Sequence, residues 1–234
     1  MRIIAIHIAC LLLSSGLFSQ MDKLMEDLSA FQEAIVDMLP LKVSTDYTLY
    51  ATHDTLEAMS TAYAETYLSH KSYYQHIEGV HTFIEGTIVV IVDEEENTIV
   101  YDQKEVDISD LLFNLDLDHI EGIVQSVEYT ESNSNKNYTL LLQPLSGYSK
   151  IELQISKRTQ LIERLHLFYA HSQGLENTLQ EEEIPRLMTE IEMVSIRRLR
   201  PYSLQQNPFY NFVEGKIVAQ EPYQDFHIIN SIVN

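Results

Sequence analysis

The 234-residue chain has one cysteine, no tryptophan, seven glycines, and only 15 Lys and Arg against 35 Asp and Glu. Each shortage excludes something. The single thiol, Cys10, lies in an apolar N-terminal run, so the remaining chain forms no disulfide and offers no thiolate to a metal or substrate. Past Ser19 the glycines stand at 79, 86, 122, 147, 174 and 215, never closer than seven residues. No phosphate-cradling loop or dinucleotide fingerprint can be built from them. There is no G-x-S-x-G elbow and no H-E-x-x-H pair. A formal net charge of −20 repels phosphate backbones and anionic headgroups, which argues against nucleic acid and headgroup-driven membrane binding. What remains, 45% hydrophobic and 21% charged, is an ordinary folded composition at the length of one large domain.

The histidines give no ligand constellation. His70, His76 and His81 are the densest group, but His81 falls on the opposite strand parity from the other two. The run Glu94-Glu95-Glu96 reads as a solvated turn, because no Asp/Asn/Gly spacing of a calcium loop surrounds it. Carboxylate pairs are so abundant that none is singled out without geometry. The expectation is a protein without catalysis, cofactor or metal.

Arg2 followed by the apolar run Ile3–Leu13 and the small-residue stretch 14–19 reads as an export signal cut after Ser19. The run is too short to span a bilayer before Gln20, Asp22 and Lys23 arrive. The expected organisation is a signal peptide over 1–19 and a single domain over 20–234. Leu24, Met25, Leu28, Phe31 and Ile35 then recur at three and four residues, an amphipathic helix that Pro40 ends. Its polar face is mostly acidic, which suits packing on a sheet better than lying on a membrane.

After Pro40 the period changes from 3.6 to 2. Val43, Thr45, Tyr47 and Leu49 share one strand face; 83–92 and 98–101 form a hairpin across an acidic tip; Ile151, Leu153 and Ile155 alternate with polar residues. Residues 107–119 read as a short helical or irregular stretch, 171–183 as a polar loop, and Asn207-Pro208 as the cap of a short helix over 208–214. The expected fold class is mainly β (α+β): a single curved antiparallel sheet of about ten strands, with the N-terminal amphipathic helix over its concave face and short helices besides.

The order of these segments carries a resemblance. The hairpin Ile91–Ile99, "NYTLLLQP" at Asn137–Pro144, "YSKIELQI" at Tyr148–Ile155 and "TQLIERLHLFY" at Thr159–Tyr169 resemble the outer-membrane lipoprotein carrier (LolA-like) group of Gram-negative periplasms. The resemblance implies a half-barrel with helices over its open side and an apolar cavity that shields acyl chains. Carriers of this group use an early-strand arginine to hold the lid. Here no arginine stands between Arg2 and Arg158, and Lys42 is the early-strand cation, so no gating residue carries over.

These readings converge on a soluble periplasmic binding or carrier protein. Its expected partners are lipid or lipoprotein acyl chains, with envelope proteins as the alternative. The expected cavity lining is Tyr47 and Leu49 on the early strand and Phe83, Val89 and Ile91 on the hairpin. Leu140, Leu142, Ile151, Leu153 and Leu165 continue it on later strands, and Met25, Leu28 and Phe31 close it from the helix. Seven methionines, 14 tyrosines and eight phenylalanines provide pliable, amphipathic wall material.

Overall fold

The computed structural model describes residues 2–51, 58–104, 122–143, 147–170, 188–199, 207–213 and 216–231, with side chains from residue 20 on. The helical or irregular stretch expected at 107–119 and the loop expected at 171–183 lie outside the described residues. One helix, α1 (Arg2–Met38), opens the chain. The apolar spacing predicts it from Met21, and it extends back to Arg2 through Ile, Ala and Leu residues with no proline to interrupt it. It stops where the Leu39 amide bonds the Val36 carbonyl, one residue before Pro40.

Fourteen strands follow among the described residues: β1 (Leu41–Tyr50), β2 (Ala58–Leu68), β3 (Ser72–Ile77), β4 (Val80–Glu85), β5 (Ile88–Asp93), β6 (Thr98–Gln103) and β7 (Val124–Glu131) come first. Then come β8 (Asn135–Leu142), β9 (Tyr148–Ser156), β10 (Ile162–Tyr169), β11 (Met188–Arg198), β12 (Tyr210–Val213), β13 (Lys216–Ala219) and β14 (His227–Asn230). Twelve of them form one mainly antiparallel sheet in the order β14-β6-β5-β4-β3-β2-β1-β11-β10-β9-β8-β7, and β12 and β13 form a separate hairpin. The sheet therefore exceeds the ten strands expected. It is also not purely antiparallel, since β14 lies parallel to β6. The short helix expected over 208–214 is instead strand β12, because Tyr210, Phe212 and Val213 favour extended backbone over helix. Among the described residues, Gly122 and Ile123 are also helical, and a one-turn 3₁₀ segment spans Tyr223–Asp225.

The chain divides into two compact units. The first comprises Met1–Ile35, Tyr47–Thr61 and Asn114–Glu192. Its sheet face is fixed by register: Val127 pairs with Leu140, Leu140 with Ile151, and Tyr138 with Leu153. Leu153 in turn pairs with Leu165, and Leu165 with Ile191. Directly opposed residues share a face, so these apolar side chains form one continuous surface. Helix α1 is fastened to it. Asp27, on the same helix stripe as the buried Leu24, Leu28, Phe31 and Ile35, accepts hydrogen bonds from Lys136 Nζ (2.6 Å) and from the Tyr138 hydroxyl.

The second unit comprises Val36–Asp46, Ala62–Phe113 and Met193–Asn234. Its core gathers Phe83, Val90, Val92 and Ile99 from one face of β4–β6 against Phe209 and Ile217 of the β12–β13 hairpin. The β3–β4 turn places Glu78 (φ 47°) and Gly79 (φ 81°) between paired Ile77 and Val80, a two-residue turn with both φ positive. That twist matches the strands it joins and sets the register of everything beyond it.

Candidate binding site

Among the described residues, the second unit holds a cleft of about 640 Å³, within the size range of small-ligand sites. One wall is the face of β3 and β4, the other is the β12 strand. Its centre is aromatic. Tyr74 and Phe83 stack across the β3–β4 pair with centroids 4.8 Å apart, and Tyr210 meets Phe83 edge-on at 5.7 Å and 87°. Phe212, half exposed, extends this surface at the mouth. The polar rim comprises Ser72, Glu85, Asn207, Asn211 and Gln220.

Local sequence explains the second wall. The Asn207 carboxamide oxygen accepts the Phe209 amide (2.9 Å), a side-chain turn that leads the chain into β12. The Gln220 amide then donates to the Tyr210 carbonyl (2.7 Å) and ties the far end of the hairpin back. Burial, reinforced by the Glu85 carboxylate, pushes the Tyr210 phenol well above its ordinary range. Tyr74 is raised chiefly by burial as well, and its hydroxyl lies 3.0 Å from His81 Nδ1. Both phenols are neutral in the cleft.

Of the expected lining residues, Phe83 faces this cleft and the others do not line it. Phe83 pairs with Val90, so Val89 and Ile91 project to the opposite face of the hairpin. Val89 is buried there, and Ile91 is 39% exposed. Leu140, Leu142, Ile151, Leu153 and Leu165 do share a face, as alternation predicts, and are buried in the first unit. Leu28 and Phe31 are buried on the helix stripe that carries Asp27, with Met25 half-buried beside them. Tyr47 and Leu49 are half-buried. The Tyr50 hydroxyl reaches Glu190 on the polar face of the sheet, so the alternating Tyr47 and Leu49 project to the apolar side.

That polar face bears a charge network that the sequence pattern does not reveal. His166 lies 3.2 Å from Glu152 and 3.4 Å from Glu190. Arg164 reaches Glu190 and Glu192, and Lys150 donates to Glu152. Burial works to raise Glu190, but the Tyr50 hydroxyl, His166 and Arg164 outweigh it and hold the carboxyl below its ordinary value. In the second unit His76 and His81 oppose each other directly and stack at 4.4 Å, although sequence parity counted from His70 separates them. Counting along one strand cannot see across a turn. Among the described residues, no group of three or more His, Cys, Asp or Glu is placed to hold a metal ion. Among the same residues, no helix is long and apolar enough to cross a membrane.

No protein-family model matches the chain. No curated protein matches it either. Among solved structures it is similar to an uncharacterized conserved protein from Thermus thermophilus, with 13% identity over 87% of this chain and 98% of that one and a TM-score of 0.46. It is also similar to MucB of Pseudomonas aeruginosa, solved in complex with MucA (10% identity, 78% and 60% coverage, TM-score 0.41). A third similarity is to a LolA superfamily protein from Nitrosomonas europaea (9% identity, 73% and 94% coverage, TM-score 0.30). The last two are distant structural similarities, at low identity, to MucB-like and LolA-superfamily proteins.

Proposed function

We propose that the protein is a non-catalytic binding protein of the periplasm that shelters the apolar chain of a lipid or lipidated protein in the second-unit cleft. The observation that carries this reading is the cleft itself: about 640 Å³ of space against the contiguous rings of Tyr74, Phe83 and Tyr210. Each methylene withdrawn from water against such a wall contributes about 0.8 kcal/mol, so affinity scales with chain length and release needs no chemistry. In this reading the surface beneath α1, with Leu140, Leu142, Ile151, Leu153 and Leu165, is the scaffold's packed core. The ligand contacts fall on Phe83 and its neighbours instead.

The test is native mass spectrometry of the full chain from an export-competent host, with organic extraction, followed by titration with octyl glucoside below its micellar concentration. A retained extractable mass, or a one-to-one adduct weakened about fivefold by Phe212→Ser, is expected; fivefold corresponds to about 1 kcal/mol of lost ring contact. Phe212 is half exposed, so that variant keeps its fold. A bare protein that also gains no adduct overturns the reading.

A further inference from the structure

The chain handles its own lysines in a recurring way. Lys23 Nζ sits 3.8 Å from the centroid of the Tyr129 ring and 4.0 Å from the carboxylate of Glu131. Lys42 lies 5.0 Å from the Tyr67 ring and bonds Glu65. Lys150 sits 3.8 Å over Phe168 and 2.8 Å from Glu152. In the first two cases ring and carboxylate stand two residues apart on one strand, hence on one face, and the ammonium rests above both. The quadrupole of the ring and the charge of the carboxylate attract the same cation.

Strand β4 repeats this arrangement inside the cleft. Phe83 and Glu85 are two residues apart on the face that lines it, with Tyr74 stacked on the ring and Tyr210 edge-on to it. Among the described residues, no Lys, Arg or His lines the cleft and no cation pairs with Glu85. We infer that the cleft selects a ligand with a cationic head, an alkylammonium or quaternary ammonium group, placed over Phe83 and Tyr210 and paired with Glu85. This rests on reading the cleft as the ligand site and names the head group that site accepts. The same lining disfavours a free carboxylate or phosphate, which would meet Glu85 and the field of a chain at −20 with no cation to receive it.

The test compares octyltrimethylammonium, octyl glucoside and octanoate, one tail with three heads, by calorimetric titration of the full chain at moderate and high salt. Octyltrimethylammonium is expected to bind about tenfold tighter than octyl glucoside, with octanoate weakest, since a desolvated cation over an aromatic face contributes roughly 1–2 kcal/mol. Glu85→Gln is expected to abolish that preference, so that the variant binds octyltrimethylammonium no tighter than octyl glucoside. Glu85 is exposed, so the substitution does not threaten folding. High salt removes diffuse attraction to the acidic surface but leaves the seated pair largely intact. Equal affinity for all three heads, or a cation preference untouched by Glu85→Gln, overturns this inference while leaving the binding reading standing. Failure of all three to bind overturns both.

Discussion

Replacing Asp27 tests how α1 is held to the first unit. The carboxylate is 5% exposed and serves two donors on β8: Lys136 Nζ at 2.6 Å and the Tyr138 hydroxyl, itself on a residue 1% exposed. Asp27→Ala leaves a largely buried ammonium and a buried hydroxyl without their acceptor. Breaking a buried pair by removing one partner costs about 3–5 kcal/mol, chiefly through the group left behind. For a chain of this size each kcal/mol lowers Tm by about 2–4 °C, so a fall of roughly 6–20 °C is expected. Asp27→Asn keeps one carbonyl acceptor and should cost about half as much. The triple replacement Asp27→Leu, Lys136→Met, Tyr138→Phe removes every polar member and should lie within about 1 kcal/mol of the parent, or above it. Urea unfolding followed by circular dichroism, read as a midpoint change at constant slope, measures all three. If Asp27→Ala costs less than about 1 kcal/mol, or the triple variant is as unstable as the single one, the fastening argument is wrong.

The titrating groups carry three further expectations. Burial and then the Asp27 bond push the Tyr138 phenol well above its ordinary value of 10.0, so the folded state favours the neutral form. That contribution is complete below pH 10; above it the unfolded chain ionises first, and stability should fall by up to about 1.4 kcal/mol per pH unit. Tyr138→Phe should flatten the alkaline limb of a denaturation–pH profile, and an unchanged limb would refute the assignment. His81, 8% exposed, is lowered by burial and by His76 against the opposing pull of Glu94, and it also faces Tyr74 and Phe209. A depressed histidine stabilises above its unfolded value of 6.5 and loses that stability as the pH falls below it, so His81→Phe should reduce the acid sensitivity below pH 6.5. The Lys157 ammonium, and then the Tyr129 hydroxyl, hold the Glu131 carboxyl down to about 2. Carbon-detected titration should find it there, and Lys157→Met should return it toward 4.5.

Alternation within one strand was legible because it depends only on nearest neighbours. Ile151, Leu153 and Ile155 show it, and the structure buries all three. The acidic tip was legible for the same reason: Asp93 accepts the amides of Glu95 and Glu96, and Asn97 takes φ 51°, all within five residues. Illegible features depend on what lies across a turn or far along the chain. The hairpin lining of Phe83, Val89 and Ile91 divides between two faces because one residue of offset reverses a side chain. The His76–His81 stack needs the register that Glu78-Gly79 imposes. Asn207-Pro208 suits a helix cap and a side-chain turn equally well, and the choice between them fell to Phe209 and Ile217 packing on β4–β6. The cleft depends on that choice, so most of its second wall was missed. The run from Phe209 to Val213, aromatic and β-branched, was the available signal.

The parallel pairing of β14 with β6 has a consequence for how the protein comes of age. Ser231 bonds the carbonyl of Tyr101, 130 residues earlier, and His227 to Asn230 pair with Thr98 to Tyr101 along the same rim. Until that late segment has been synthesised and docked, β6 presents a row of unpaired amides and carbonyls to any neighbouring chain. The nascent molecule thus passes through a period in which the six-residue β6 is the open edge, where the mature one offers the four-residue β14 instead. The length of that period is set by translation and by a long-range closure that is slow compared with hairpin formation. Removing residues 227–234 would make that exposure permanent, and the expected result is edge-to-edge association that rises with protein concentration.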